Sequence, residues 1–349
     1  MHLMRRQVRT PVGIDPAGRS FHAVQLSRTR SAWSVGAVAA LRRAHPGRPM
    51  DALEAARLRD VLGRQGFHGR DVVLSVPPEH LLTNILDLPP RGSGAPVDQI
   101  ARMEIARMYD RDPRALEMAC WNLPTPARGK KAPPTMVAAC GHNEADAFLD
   151  LFEGQGLNVT ALDVEACALS RALGPLLSRA EGMSAVLQLG WGTGLLLLLH
   201  GGVVVYQRDL PEAGVGRLHD AMTGQIGLDE EMADHVLEAV GFGSGGDDWS
   251  VRADLVSRMT SHFRAVVEEV RVSLSYAAHQ YPDSSVEQLL LVGEGASLPG
   301  LDGHVASLLD VDVQVVRLGQ LVECPTGQAI DADATHMTKA VGLARFFDE

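Results

Sequence analysis

The chain has 349 residues, 46% of them hydrophobic and 21% charged, with a formal charge of −11. That length predicts two domains or one large two-lobed one, and the balance is that of a soluble globular protein with a substantial core. The acidic excess excludes a general reader of nucleic-acid backbones and disfavours direct adhesion to an anionic membrane.

The opening "MHLMRRQVRT" is basic but has no apolar run behind it, so no signal peptide is expected. "VGIDPAGRSFHAVQLSR" reads as strand, turn, strand, and "WSVGAVAALRR" as a third strand. "MDALEAARLRDVLGRQGF" is helical, with Leu53, Ala56, Leu58, Val61 and Leu62 close to one face and Gly66 as a stop. "RDVVLSVPP" is a buried strand and "LLTNILDLPP" an alternating one, closed by Pro89 and Pro90. A helix, "VDQIARMEIARMYDRD", comes next. The strands "ALEMACWNLP" and "PTMVAACGH" flank a basic tip, "TPARGKKAPP". "NEADAFLDLFEGQGL" is a helix with Asn143 as expected N-cap, and "VTALDVEACALSRALGPLL" a short strand followed by a helix.

The pattern then restarts. "SAVLQLGWGTGLLLLLHGGVVVYQRDLP" repeats the strand, glycine turn, strand, turn, strand plan. Its apolar core "GLLLLLHGGVVVY" contains His200 and two glycines and is shorter than the roughly 20 residues a membrane span needs. "GRLHDAMTGQIGLDEEMADHVLEAVGFG" gives two helices, Asp229 capping the second, and "GSGGDDWS" a loop. "VRADLVSRMTSHFRAVVEEVRVSLSYAAHQYP" is a long amphipathic helix with Val256, Met259, Phe263, Val266, Val267, Val270 and Leu274 along one side. "LLLVGEGASLPGL" carries a strand into a glycine turn, with Ser-Leu-Pro read as the start of the helix "LDGHVASLLD". A strand, "VDVQVVRL", and a helix, "HMTKAVGLARFF", complete the chain.

Two halves thus share one plan, which predicts an internal duplication of βββαβα units forming two mixed α/β lobes across a cleft. The expected division is residues 1–175 plus a returning C-terminal helix at 335–349 for lobe one, with a small α+β subdomain inserted at about 70–150, and 176–334 for lobe two. Three glycine turns mark the strand ends where such sheets receive ligands. The first supplies Asp15, Gly18, Arg19 and Ser20; the second Gln188, Gly190, Gly192 and Thr193; the third Gly293, Gly295 and Ala296. Backbone amides and hydroxyls in such turns are donors of the kind that cradle phosphates, and Asp15 is placed to hold Mg²⁺ through water. Taken singly, each turn reads more readily as a plain tight connection; it is the three in order, at matching places in two halves, that point to a ligand.

Other chemistry finds little footing. Cys120, Cys140, Cys167 and Cys324 form no C-x-x-C pair, which leaves zinc and redox motifs unsupported. The thirteen histidines include no H-E-x-x-H, and Ser75 and Ser297 have no G-x-S-x-G around them, so no catalytic residue is assigned.

"GIDPAGRSFHAVQL", "VVLSVPPEHLLTNILDLPP", "VTALDVEACALSRAL", "GRLHDAMTGQIGLDEEMADHVLE", "VEEVRVSLSYAAHQYPDSSVEQLLLVGEGASLPGL" and "KAVGLA" come in this order over nearly the whole chain. Together they resemble the PilM family, actin-like proteins of type IV pilus and competence machines related to FtsA. The resemblance implies an actin-like, ribonuclease H-like fold, ATP and Mg²⁺ in the interlobe cleft, and self-association into a ring. It also implies capture of the cytoplasmic N-terminal peptide of a PilN-like inner-membrane protein, so that the chain is cytoplasmic and reaches the membrane through that partner. The chain closes at "ARFFDE", where no membrane-targeting tail of the FtsA kind is expected.

Three motifs depart from the family pattern. Ala17 stands where Asp-x-Gly is usual, Gln188 where the second loop opens with Asp, and Ala233, Asp234 and Leu237 where Ala-Glu-x-x-Lys covers the adenosine. These changes point to a retained scaffold with weak or absent hydrolysis, working by nucleotide-biased closure of the lobes. The segment "PPEHLLTNILDLPP" is the expected edge for the peptide. The rival expectations are a sugar-kinase-like phosphotransferase, which Gln188 disfavours, and a filament-forming cytoskeletal protein.

Overall fold

The computed structural model describes residues 8–16, 18–29, 32–124, 133–178, 182–239, 241–242, 250–282, 284–326 and 330–348. Ala17, most of the basic tip and the loop at 243–249 lie outside the described residues. The chain divides into two compact units, residues 1–173 with 203–205 and 339–349, and residues 174–202 with 206–338.

The first unit is built on a twisted sheet. Strands β1 (Val8–Arg9), β2 (Val12–Asp15), β3 (Ser20–Thr29) and β4 (Ala32–Arg42) follow in sequence, and β2 pairs antiparallel with β3 as β3 does with β4. Helix α1 (Ala52–Arg64) then crosses to β5 (Asp71–Ser75), which pairs parallel with β2. Asp51 caps α1 by accepting from the Glu54 amide, which satisfies a donor that the helix itself leaves unpaired. The chain next leaves the sheet for β6 (Leu82–Leu86), α2 (Val97–Met108), β7 (Leu116–Asn122) and β8 (Thr135–Gly141), a three-stranded antiparallel sheet in the order β6-β8-β7. One face of α2, with Val97, Ala101 and Ile105, closes a separate small core against Leu86, Leu116, Val137 and Ala139. Helix α3 (His142–Glu153) returns the chain to the main sheet, where Phe148 and Phe152 join Ile14, Phe21, Leu58 and Leu74. Asn143, expected as a cap, lies inside α3, because the helix already starts at His142. Strand β9 (Asn158–Asp163) pairs parallel with β5, and α4 (Glu165–Leu177) follows.

The second unit repeats the plan with β10 (Met183–Leu189), β11 (Gly194–His200) and β12 (Val203–Leu210). The near-continuous apolar run of β11 is buried from Gly194 to Leu199, as a strand covered on both faces requires. Helix α5 (Gly216–Ala221) runs into a π-helical turn at Met222–Ile226, and α6 (Glu230–Ala239) begins where Asp229 caps the Met232 amide. The 31-residue α7 (Ser250–Gln280) buries Met259, Phe263, Val266, Val267 and Val270 along one stripe. Strand β13 (Val286–Val292), α8 (Leu301–Ala306), β14 (Asp312–Val315) and α9 (Leu318–Leu321) complete the unit. Helix α8 starts at Leu301, after Gly300 in the left-handed region, and not at Ser-Leu-Pro as the sequence suggests. Its sheet runs β12-β11-β10-β13-β14, the same order as β4-β3-β2-β5-β9 in the first. The duplication read in the sequence is therefore a repeated strand order. The last helix, α10 (Thr338–Ala344), belongs from Lys339 onward to the first unit.

Candidate functional site

In the first unit, β2 is buried along its whole length and delivers Asp15 at its end. The α10 backbone packs directly on this strand: a β-carbon added at Gly13 would lie 2.1 Å from the Ala340 carbonyl, and one added at Gly342 only 1.8 Å from the Ala168 carbonyl in α4. Two glycines therefore permit a three-way contact of β2, α4 and α10. That contact lays Lys339, 3% exposed at its side chain, beside Asp15 and Glu165, with Nζ 2.8 Å from Asp15 Oδ1 and 3.1 Å from Glu165 Oε1. A second buried pair lies next to it. Arg171 reaches Asp163 at 2.8 Å and also donates to the Gly342 carbonyl at 2.8 Å. Burial raises the Asp163 carboxyl above its ordinary range, with the Arg171 charge pulling the other way.

The remaining first-turn residues are plainer. Gly18 takes φ 90°, a conformation glycine adopts without strain, while Arg19 accepts the Arg43 amide and Ser20 opens β3.

The second and third turns adjoin each other within the second unit. The Gly190 amide donates to the Thr193 carbonyl, and the carbonyls of Gly190 and Trp191 accept from Val215 and Gly216 at 3.1 and 2.8 Å. The Trp191 ring lies over Gly216, where a β-carbon would meet Nε1 at 2.8 Å, and faces His219 at 5.1 Å between centroids. His219 Nε2 is 3.4 Å from Asp234, so that carboxylate, at the position where the family pattern has Glu, has a histidine neighbour. In the third turn Gly293 sits at φ 93°, ψ −178°, a region essentially restricted to glycine, and exchanges hydrogen bonds with Thr335. A β-carbon at Gly293 would meet the Leu189 carbonyl at 2.6 Å, and one at Gly295 the Val215 side chain at 2.5 Å. Ala296 is buried beside them. Packing against β10 by itself requires both glycines. Gly192 and Thr193 are exposed, and a β-carbon at Gly192 would meet no atom within 4 Å.

These geometries bear on the cofactors of the fold. The first unit does not fit a magnesium ion at Asp15, because an ammonium group already lies against that carboxylate. Among the described residues no group of three or more His, Cys, Asp or Glu could hold a metal. In the second unit Gln188 Oε1 is shielded from solvent and has no hydrogen-bond partner among the described residues. That oxygen is an acceptor and suits a ligand hydroxyl or an ordered water.

Lys339 and Glu165 are the site residues that sequence reasoning missed. The signal was a lysine inside an otherwise small and apolar helix, "TKAVGLA", which has to find a buried carboxylate.

The model of the family "Type IV pilus assembly protein PilM" matches residues 13–346. The chain belongs to that family. Among solved structures it is similar to a chain of a "PilM-PilN type IV pilus biogenesis complex", at 21% identity and a TM-score of 0.78, covering 96% of this chain and 97% of that one. The ethanolamine utilization protein EutJ from Carboxydothermus hydrogenoformans matches at 17% identity and TM-score 0.53 over 98% and 91% of the two chains. MreB5 of Spiroplasma citri bound to AMPPNP matches at 11% and 0.55 over 97% and 95%. The fold is actin-like. Among the described residues no helix is long and apolar enough to cross a membrane.

Proposed function

We propose that this chain is an adaptor of a type IV pilus-type assembly that captures the cytoplasmic N-terminal peptide of a PilN-like membrane protein, and so works at the membrane without entering it. The family match over residues 13–346 carries this reading. The solved neighbour drawn from a PilM–PilN complex supports it. Within this chain the strand β6 is the peptide edge we favour. It ends its sheet, Ile85 stands exposed on it, and Tyr109, also exposed, donates to the Thr83 carbonyl at 2.8 Å. An extended peptide added there would gain main-chain hydrogen bonds, with alternate side chains setting specificity. Ring formation by several copies, and an adenine nucleotide as effector, belong to the same reading. Two related MreB5 structures hold AMPPNP and ADP, which supports the nucleotide for this fold.

Calorimetry with a synthetic N-terminal peptide of the PilN-like protein tests the proposal. Saturable binding to the full chain is expected, with at least about a tenfold loss in Ile85→Arg, a charge placed at the edge. No heat with the unmodified chain overturns the adaptor reading; full binding by Ile85→Arg moves the peptide off β6.

A further inference from the structure

Asp15 leaves β2 and Glu165 opens α4, and their carboxylates converge on one point occupied by the Lys339 ammonium. We propose that Lys339 is the resident cation of this site, standing in for a divalent metal between the two carboxylates, so that the first turn of this chain is set without metal. The inference goes beyond the adaptor reading and needs no partner peptide.

Charge and space both support it. An ammonium carries three donors, and two are already directed at carboxylate oxygens within 3.1 Å. Magnesium demands a near-octahedral shell of oxygens at about 2.0–2.1 Å and keeps several of its waters. The ammonium lies on the shared face of the two carboxylates and cancels one of their two negative charges, so a metal ion could enter between them only by displacing it. The amine does not leave by deprotonation at neutral pH. Burial alone would lower its pKa, but Asp15 and Glu165 outweigh burial and hold it above the ordinary lysine range. The arrangement is also built into the backbone, since Gly13 and Gly342 let α10 approach closely enough to deliver the side chain. A nucleotide engaging this chain would thus find Asp15 already paired with an ammonium.

Mn²⁺ serves as the probe, followed by the loss of its free electron paramagnetic resonance signal, together with thermal unfolding in EDTA or in millimolar Mg²⁺. The unmodified full chain is expected to take up no Mn²⁺ and to unfold at the same temperature in both buffers. Lys339→Met is expected to unfold earlier in EDTA, to take up about one Mn²⁺ per chain, and to recover with metal, because two buried carboxylates are left without a cation. Asp15→Asn added to Lys339→Met should abolish the uptake. Uptake by the unmodified chain that Asp15→Asn removes would overturn the proposal, as would a folded Lys339→Met with unchanged unfolding and no uptake. Should Lys339→Met fail to fold, Asp15→Asn/Glu165→Gln/Lys339→Met decides. A folded neutral triple supports the lysine as charge partner, and a misfolded one counts against it.

Discussion

At the residue scale, the glycines of the three turns illustrate how one sequence signal has two causes. Gly293 and Gly295 look like ligand-facing residues, yet their missing side chains are required by Leu189 and Val215. Gly192 is the opposite case, exposed and unobstructed. Gly293→Ala should therefore destabilise by about 1–3 kcal/mol or more, since it adds overpacking to a strained backbone angle. Gly192→Ala should stay within about 0.5 kcal/mol of the parent. Chemical denaturation of the two variants checks the contrast, and a stable Gly293→Ala would show that the turn is not held by packing. Which glycine belongs to which class was not legible in the sequence, because the atoms that crowd Gly295 lie some 80 residues away at Val215. Asp15 shows the same limit. Its place at a strand end could be read from "VGID", but its partner, Lys339, is separated from it by nearly the whole chain.

At the element scale, much of the architecture was legible because it follows from periodicity. The apolar stripe of α7 and the restart of the strand pattern in β10 are local patterns, whereas the alternation expected of β6 is absent, since Ile85 is exposed and only Leu86 of that strand is buried. Other features were not. The π-helical turn at Met222–Ile226 interrupts what reads as an ordinary helix, and no residue spacing announces it. The small sheet β6-β8-β7 has a core of its own, closed by α2 through Ile105, which is fully buried. Ile105→Ala should cost about 2–5 kcal/mol of local stability by leaving a cavity. Hydrogen exchange should then rise in β6, β7 and β8 while β10 and β13 keep their protection. Equal loss of protection in β10 and β13 would show that the inserted sheet is not an independently stabilised element.

At the scale of the whole molecule, acid sensitivity follows from histidines held neutral. Burial lowers the pKa of His262, His304 and His336 below the ordinary histidine value. Near His262, Glu212 and the hydrogen bond to Ala213 oppose burial while Arg217 adds to it; near His304, Arg264 adds to it; near His336, Asp331 opposes it. With folded-state values depressed, the unfolded chain binds more protons than the folded chain just below pH 6.5, so stability rises with pH there. The contribution is fully present above the unfolded value and is lost as pH falls toward the folded ones. Glu54 extends the trend to lower pH. Burial would raise its carboxyl pKa, but Arg43 and the amides of His45 and Ala44 together hold it below its ordinary value, so its contribution disappears as it protonates. Lys339 has the opposite sense. Its raised pKa gives a contribution present at neutral pH and lost only in strong alkali. Thermal unfolding between pH 5 and pH 8 should therefore show a midpoint that climbs with pH up to about pH 6.5 and then levels off, each histidine contributing no more than about 1.4 kcal/mol per pH unit on the climb. His336→Gln should flatten the climb without abolishing it. A midpoint constant across that range, or one that falls, would mean that these rings are not kept neutral by the folded chain.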